Sequence, residues 1–300
     1  MQPRYWLAFA VAAFGFATGG LATRAAFEQG VDAWEMVTLR IVIAAALVIV
    51  LLAFQRRLFF PDRLTLRIGI VMSIFNLAVP YVLFTLAYDR ASAGFVSLLA
   101  ALIPVATALF ANAMLPNEPL TGAKVAGLTV GFLGVGALLF SGDSGLESGG
   151  EPVTAIILAM FGVASIGFAG VYAKKYAGSY EPTQVTGLQF GFAGLLLIVA
   201  MLAIEGPPAD INTSGWLLIL YMGIVGSFLP FYLFYRLIRL VPATTLSLIG
   251  YMVPLVALVG GVLLLDERIQ PGMLVGGALI LIGVILTDRA DRRAALQIRA

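Results

Sequence analysis

The sequence contains no cysteine and no histidine among its 300 residues. Disulfides, thiolate chemistry, zinc or haem ligation through those side chains and a histidine proton relay are therefore excluded. Charge is scarce too: Asp, Glu, Lys and Arg together make 11% of the chain, against about 25% in soluble domains. A net charge of +2 gives no electrostatic footprint for DNA or RNA, so no nucleic-acid partner is expected. No metal, no cofactor and no enzymatic activity are expected either. The stretch Gly142-Asp143-Ser144-Gly145 copies the residues around a serine protease nucleophile, but no histidine exists to take the serine proton. It reads instead as part of a Gly/Ser-rich acidic loop.

What the chain has is oil. Hydrophobic residues make 61% of it, against about 45–50% in soluble domains, and they are gathered into runs long enough to cross about 30 Å of hydrocarbon as helices. Apolar runs between charge clusters and Gly/Pro breaks predict helices near 5–24, 33–54, 66–88, 92–114, 120–141, 153–173, 182–204, 215–238, 243–265 and 269–287. The expected class is an all-α integral membrane protein of about ten transmembrane helices. The first run lacks a small-x-small cleavage site and is long enough to span, so it reads as a helix rather than a removable leader.

Assigning the connecting segments alternately to two faces separates the charges. Of 18 lysines and arginines, only Arg24, Arg90 and Arg268 fall on one face, Arg40 lies inside a run, and the other 14 fall on the opposite face. Acidic residues lean the other way, with Glu28, Glu35, Asp143, Glu205 and Glu267 on the basic-poor face. By the positive-inside rule both termini are expected to be cytoplasmic. An odd number of crossings would scramble this pattern, so Asp89 to Ala91 must be a turn between two helices.

The halves repeat each other at an offset of about 150 residues: Pro80 with Pro230, Ala93 with Ala243, Ser97 with Ser247, Pro104 with Pro254, and then Glu118 with Glu267. Each half is one five-helix unit, with domains expected at 1–146 and 147–300. Five is odd, so the second copy enters the membrane from the opposite face. Inverted repeats of this kind recur in secondary transporters, where two near-equivalent bundles expose one midplane site to either side in turn.

The residues that carry the repeat also carry a family likeness. Ala93-Gly94-Phe95-Val96-Ser97 leads to Pro104 and then to Leu115-Pro116-Asn117-Glu118-Pro119. The order returns as Ala243-Thr244, Pro254 and Leu265-Asp266-Glu267-Arg268. The chain thereby resembles, over essentially its whole length, the EamA-type proteins of the drug/metabolite transporter superfamily. That resemblance implies a ten-helix, two-repeat exporter of small metabolites, often amino acids, in a bacterial inner membrane. An importer of similar metabolites, a channel and an intramembrane enzyme are the alternatives.

Within the runs, Pro80, Pro104, Pro230 and Pro254 each free a backbone carbonyl and bend the segment, which marks hinges and cavity-lining helices. Asn76 and Tyr81 lie beside Pro80, Ser97 beside Pro104, Phe231 and Tyr232 beside Pro230, and Ser247 and Tyr251 beside Pro254. Hydroxyls, amides and aromatic faces so placed suit a small molecule with an apolar body and a polar or ammonium group. Thr18 is the first helix's polar candidate. Tyr88 and Tyr235, near helix ends, read as interfacial belt residues. Arg40 either pairs with a substrate carboxylate or snorkels to water and to Glu28, Asp32 or Glu35. No acid lies deep in a predicted span, which argues against obligate proton coupling and for a neutral or zwitterionic substrate. The partners expected are that small molecule and the lipid bilayer, with the chain acting as a monomer or homodimer. The glycines at 127, 131 and 134 and at 272, 276 and 283 form small-residue seams that join either the two halves or two protomers.

Overall fold

The computed structural model describes residues 3–55, 61–116, 118–142, 144–146, 150–208, 210–237 and 248–297, apart from the side chains of 3–6, 235–236, 248–249, 251 and 291–297. Ten helical elements follow in order. They are α1 (Pro3–Glu28), α2 (Ala33–Phe54), α3 (Arg63–Met72, Ser73–Ala78 and Val79–Arg90), α4 (Ala93–Ala100 and Ile103–Met114), α5 (Gly122–Ser141), α6 (Pro152–Lys175), α7 (Pro182–Ile204), α8 (Thr213–Gly223, Ile224–Phe228 and Leu229–Leu237), α9 (Leu248–Leu264) and α10 (Pro271–Gln297). Nine of them are long and apolar enough to cross a membrane among the described residues, and α9 begins at the edge of a stretch outside the description.

Local chemistry sets the helix ends. Asp32, Asp62, Ser92, Thr121, Glu181 and Asn212 each accept a backbone N–H of the first turn that follows them, groups that have no partner inside the helix. Pro152, Pro182 and Pro271 open α6, α7 and α10, where a missing N–H costs nothing. Ala91 is extended, at φ −149° and ψ 163°, so α3 and α4 are separate helices as the charge pattern required.

The loops that follow odd-numbered helices meet at one end of the bundle. Asn212 bonds to Gln29, the Ser92 N–H to Ser144, the Glu151 N–H to Arg90 and the Arg268 N–H to Gly145. At the opposite end Lys174 pairs with Glu118 at 2.6 Å, and Arg67 bonds to the hydroxyls of Tyr172 and Tyr176 at 2.9 and 2.7 Å. Basic-poor and basic-rich loops are thus separated by the length of the helices.

Lipid tails are as apolar as leucine, so packing in a bilayer comes from close fit. Leu7, Phe54, Phe132, Phe140, Phe161 and Leu263 lie on the surface, as a lipid-facing band requires. The halves interlock instead through small residues. A methyl added at Gly127 would come within 2.7 Å of the Gly283 carbonyl, and one at Gly134 within 2.7 Å of the Gly276 carbonyl. The seams on α5 and α10 therefore join the two repeats of one chain to each other. The same exchange holds elsewhere: α2 packs on α7, α3 on α6 and α1 on α8, each pair uniting elements from opposite halves. The chain is a bundle of two inverted five-helix repeats.

Candidate functional site

The third helix of each repeat contains a short π-helical segment just before its proline: Ser73–Ala78 before Pro80 in α3, and Ile224–Phe228 before Pro230 in α8. Proline has no N–H to give and its ring crowds the preceding turn. One extra residue in the turn relieves that crowding, and the helix continues through i to i−5 bonds, Val79 to Ile74 and Leu229 to Ile224. Such widened turns present backbone carbonyls to neighbouring groups and occur often at functional sites. Here two are used at once: the Phe75 carbonyl accepts from the Ser165 hydroxyl at 2.8 Å, and the Gly226 carbonyl accepts from Arg40 at 3.4 Å.

Arg40 is buried, with 6% of its surface exposed. Its Nε and Nη2 donate to Ser227 Oγ at 3.2 and 3.1 Å, Nη1 donates to Thr23 Oγ1 at 3.3 Å, and its Cζ stands 4.9 Å from the centre of the Tyr81 ring. Among the described residues no carboxylate lies within ion-pair distance of it. Of the two alternatives for Arg40, snorkelling to water or to Glu28, Asp32 or Glu35 is not what the structure shows: the side chain turns inward, where hydroxyls and a carbonyl on α1 and α8 meet its fork-shaped donor set. Gly19 and Gly226 bring α1 and α8 together beside it: a methyl at Gly226 would stand 3.2 Å from the Gly19 Cα, and one at either glycine would be in ordinary contact with Nη2, at 3.5 or 3.6 Å.

The other predicted positions fall around this centre. Asn76 lies in the π segment of α3 and donates to Gln189 Oε1 on α7 at 3.4 Å. Phe231 meets Phe16 and Phe190 edge to face, both at 5.4 Å between ring centres, and Tyr232 stacks on Phe228 at 6.0 Å. Phe231 and Tyr81 pack against the same buried cluster as Phe190, so these aromatics form one apolar region beside the guanidinium. Thr18 accepts the Tyr221 hydroxyl at 2.7 Å and joins α1 to α8. Ser97 is buried near the basic-poor end, 3.3 Å from the Tyr88 hydroxyl. Tyr88 itself is turned inward against Gly20, which corrects its reading as a belt residue. Ser247 and the Tyr251 side chain, like that of Tyr235, lie outside the described residues.

The four prolines differ. Pro80 and Pro230 are buried behind their π segments. Pro104 follows a true break at Ala101 and Leu102 and is exposed, whereas Pro254 is buried inside the continuous helix α9. The matched set of four bends expected from the repeat is thus one matched pair and one unlike pair. Gln189, Phe190, Phe16, Thr23 and Ser227 are the residues that sequence reasoning missed.

The pattern of the EamA-like transporter family matches residues 4–140 and again 153–288. The chain belongs to that family. Its relatives include the protein PecM of Dickeya dadantii, 26% identical over 73% of this chain and 72% of that protein. An uncharacterised transporter of Archaeoglobus fulgidus is 24% identical over 84% of this chain and 87% of its own length, and the uncharacterised transporter YvbV of Bacillus subtilis is 25% identical over 77% and 75%. A solved crystal structure superposes with a TM-score of 0.66 over 98% of this chain and 100% of that one at 20% identity, a likeness of fold. This EamA-family chain is a multi-pass membrane transporter and not an enzyme, and its double match coincides with the two repeats described above.

Proposed function

We propose that this transporter exports small neutral or zwitterionic metabolites, amino acids with apolar or aromatic side chains foremost, by alternating access around the centre built on Arg40. The observation that carries the reading is a buried guanidinium whose partners among the described residues are all neutral. A cation held in a low-dielectric site costs several kcal/mol, about what translocation scales assign to an arginine in mid-membrane, and a carboxylate brought by a substrate would offset that cost. The aromatic region of Tyr81, Phe190, Phe231 and Tyr232 beside it suits the apolar body of the same molecule. An ammonium group finds ring faces and hydroxyls there rather than an acid. In this reading the halves divide at residues 146 and 147, Pro80 and Pro230 with their π segments are the hinges, and the basic-rich face, with both termini, is cytoplasmic in a bacterial inner membrane. Outward direction is taken from the resemblance to metabolite exporters. The chain works as a monomer or homodimer.

The test is counterflow in proteoliposomes loaded with single amino acids, paired with efflux from preloaded cells. Saturable exchange of leucine, phenylalanine or a similar zwitterion, lost when the carboxylate is amidated, supports the reading. Equal transport of the amide would sink the role of Arg40, accumulation by cells would make the protein an importer, and conductance without saturation would make it a channel.

A further inference from the structure

Each repeat carries a glutamate in the loop after its fourth helix, Glu118 and Glu267. Glu267 follows Asp266, whose φ of +50° turns the loop sharply back, and its side chain is 8% exposed. The carboxylate passes over Gly261, where any Cβ would collide with it, and enters the other repeat. There it accepts the Ala93 N–H at 2.6 Å and the Gly94 N–H at 3.4 Å, while Ser92 takes the Phe95 N–H at 3.1 Å. Three of the free donors at the start of α4 are therefore satisfied, two of them by a residue from the opposite half. A carboxylate at this position also meets the positive end of the helix dipole.

The bond sits inside a close contact of α1, α3, α4 and α9 at the basic-poor end. Leu258 of α9 lies against Gly94, Leu21 of α1 against Gly260, and the Tyr88 hydroxyl against Gly20. Nothing larger than glycine fits at these three points without displacing its neighbour. Ser97, one turn into α4 from this contact, is buried. At the other end Glu118 pairs with Lys174, near the end of α6. The corresponding helix start, Ala243 and Thr244, lies outside the described residues.

We propose that Glu267 is the bolt of the gate at the basic-poor face: its carboxylate on the first amides of α4 holds that face shut, and it must leave for the site to open there. The proposal rests on the alternating-access reading above and adds the contact that decides which face is closed.

The absence of native cysteine makes the test direct. Ser97→Cys places a single thiol one turn behind the bolt, and a membrane-impermeant maleimide is applied from each face of oriented vesicles. Glu267→Ala removes the carboxylate. Ala93→Pro removes the donor instead, at the first helical position and after an extended Ser92 (φ −60°, ψ 156°), where proline is well accommodated. Both variants are expected to label from the basic-poor face about tenfold faster or more, the loss expected for a hydrogen bond to a charged group. Glu118→Ala should not accelerate labelling from that face. Unchanged labelling in the monodisperse Glu267→Ala and Ala93→Pro proteins would overturn the proposal. Solute flux is measured in parallel: accelerated labelling with no flux in the parent would reject the transport reading and keep the gate, and flux with unchanged labelling would reject the gate alone.

Discussion

Gln189 stands 149 residues after Arg40, and from its own repeat it does what Arg40 does. Arg40 of α2 reaches the π segment of α8 at Gly226 and Ser227, and Gln189 of α7 receives a bond from Asn76 in the π segment of α3. Asn76 in turn stands 150 residues before Gly226. The duplication has thus kept the position of the clamp and changed its charge. One side of the centre offers a cation and the other an amide, and under the function proposed above a molecule with one carboxylate would have a preferred way round.

Arg40→Gln keeps hydrogen-bond donors but removes the charge. Transport of zwitterionic amino acids should then show a KM raised about 10- to 100-fold, the range for losing a hydrogen bond to a charged group, with solutes lacking a carboxylate unaffected. Arg40→Lys should recover only part of this, because an ammonium cannot reproduce the forked contacts to Ser227 and Thr23. Equal KM values for parent and Arg40→Gln would place the substrate carboxylate elsewhere.

Asn76→Ala removes one partner of Gln189 without touching Arg40. A loss of about 0.5–1.5 kcal/mol in stability is expected for a single neutral hydrogen bond, read as a lower thermal transition in detergent. A fall in transport at unchanged affinity for carboxylates would separate the amide side from the cation side. Identical melting and transport would mean that the 3.4 Å contact contributes nothing.

Much of this architecture was legible in the residues, and the reasons are physical. Span number follows from hydrocarbon thickness, and the turn at Asp89 to Ala91 followed from the requirement that charges sort by face; the extended Ala91 bears it out. The inverted repeat followed from five being odd. The π segments were not legible, since one extra residue in a uniformly apolar run leaves no mark on its composition. They also shift the register, so regular i, i+3 and i+4 spacing does not carry across Ser73 to Pro80. Gln189 and Phe190 lie in a run apolar all round, where periodicity gives no inward direction. Arg40 was visible as a charge in a span, but the hydroxyls that meet it come from Thr23 and Ser227, far away in sequence.

The interlock of α5 and α10 gives a stability prediction. Gly134→Val places a branched side chain against the Gly276 carbonyl and the Ile280 backbone, both within 2.8 Å of an added Cβ. Overpacking of this kind costs about 1–3 kcal/mol, and because backbone rather than a flexible side chain is in the way, the upper part of that range is expected. Gly136→Val, where a methyl meets nothing within 4 Å, serves as the control. Thermal unfolding in detergent checks both, and equal loss in the two variants would show that helix propensity, not the seam, is being measured.

A pH response is expected from the basic-poor loops. Glu205, just past the end of α7, has a pKa pushed up to about 7, by desolvation first and then by a shared hydrogen bond with Asp32 and the charges of Asp32 and Glu35. A carboxyl whose folded-state pKa is raised stabilises the fold below its ordinary value of 4.5 and loses that contribution as pH rises through about 7. In acid the protonated Glu205 sits beside Asp32 and Glu35 without repulsion, and as pH rises its own anion is added to their charges. The thermal transition of the parent protein should therefore fall between pH 5 and pH 8, and Glu205→Gln, which keeps a donor at every pH, should flatten that fall. Parallel pH curves for the two proteins would remove Glu205 as the source.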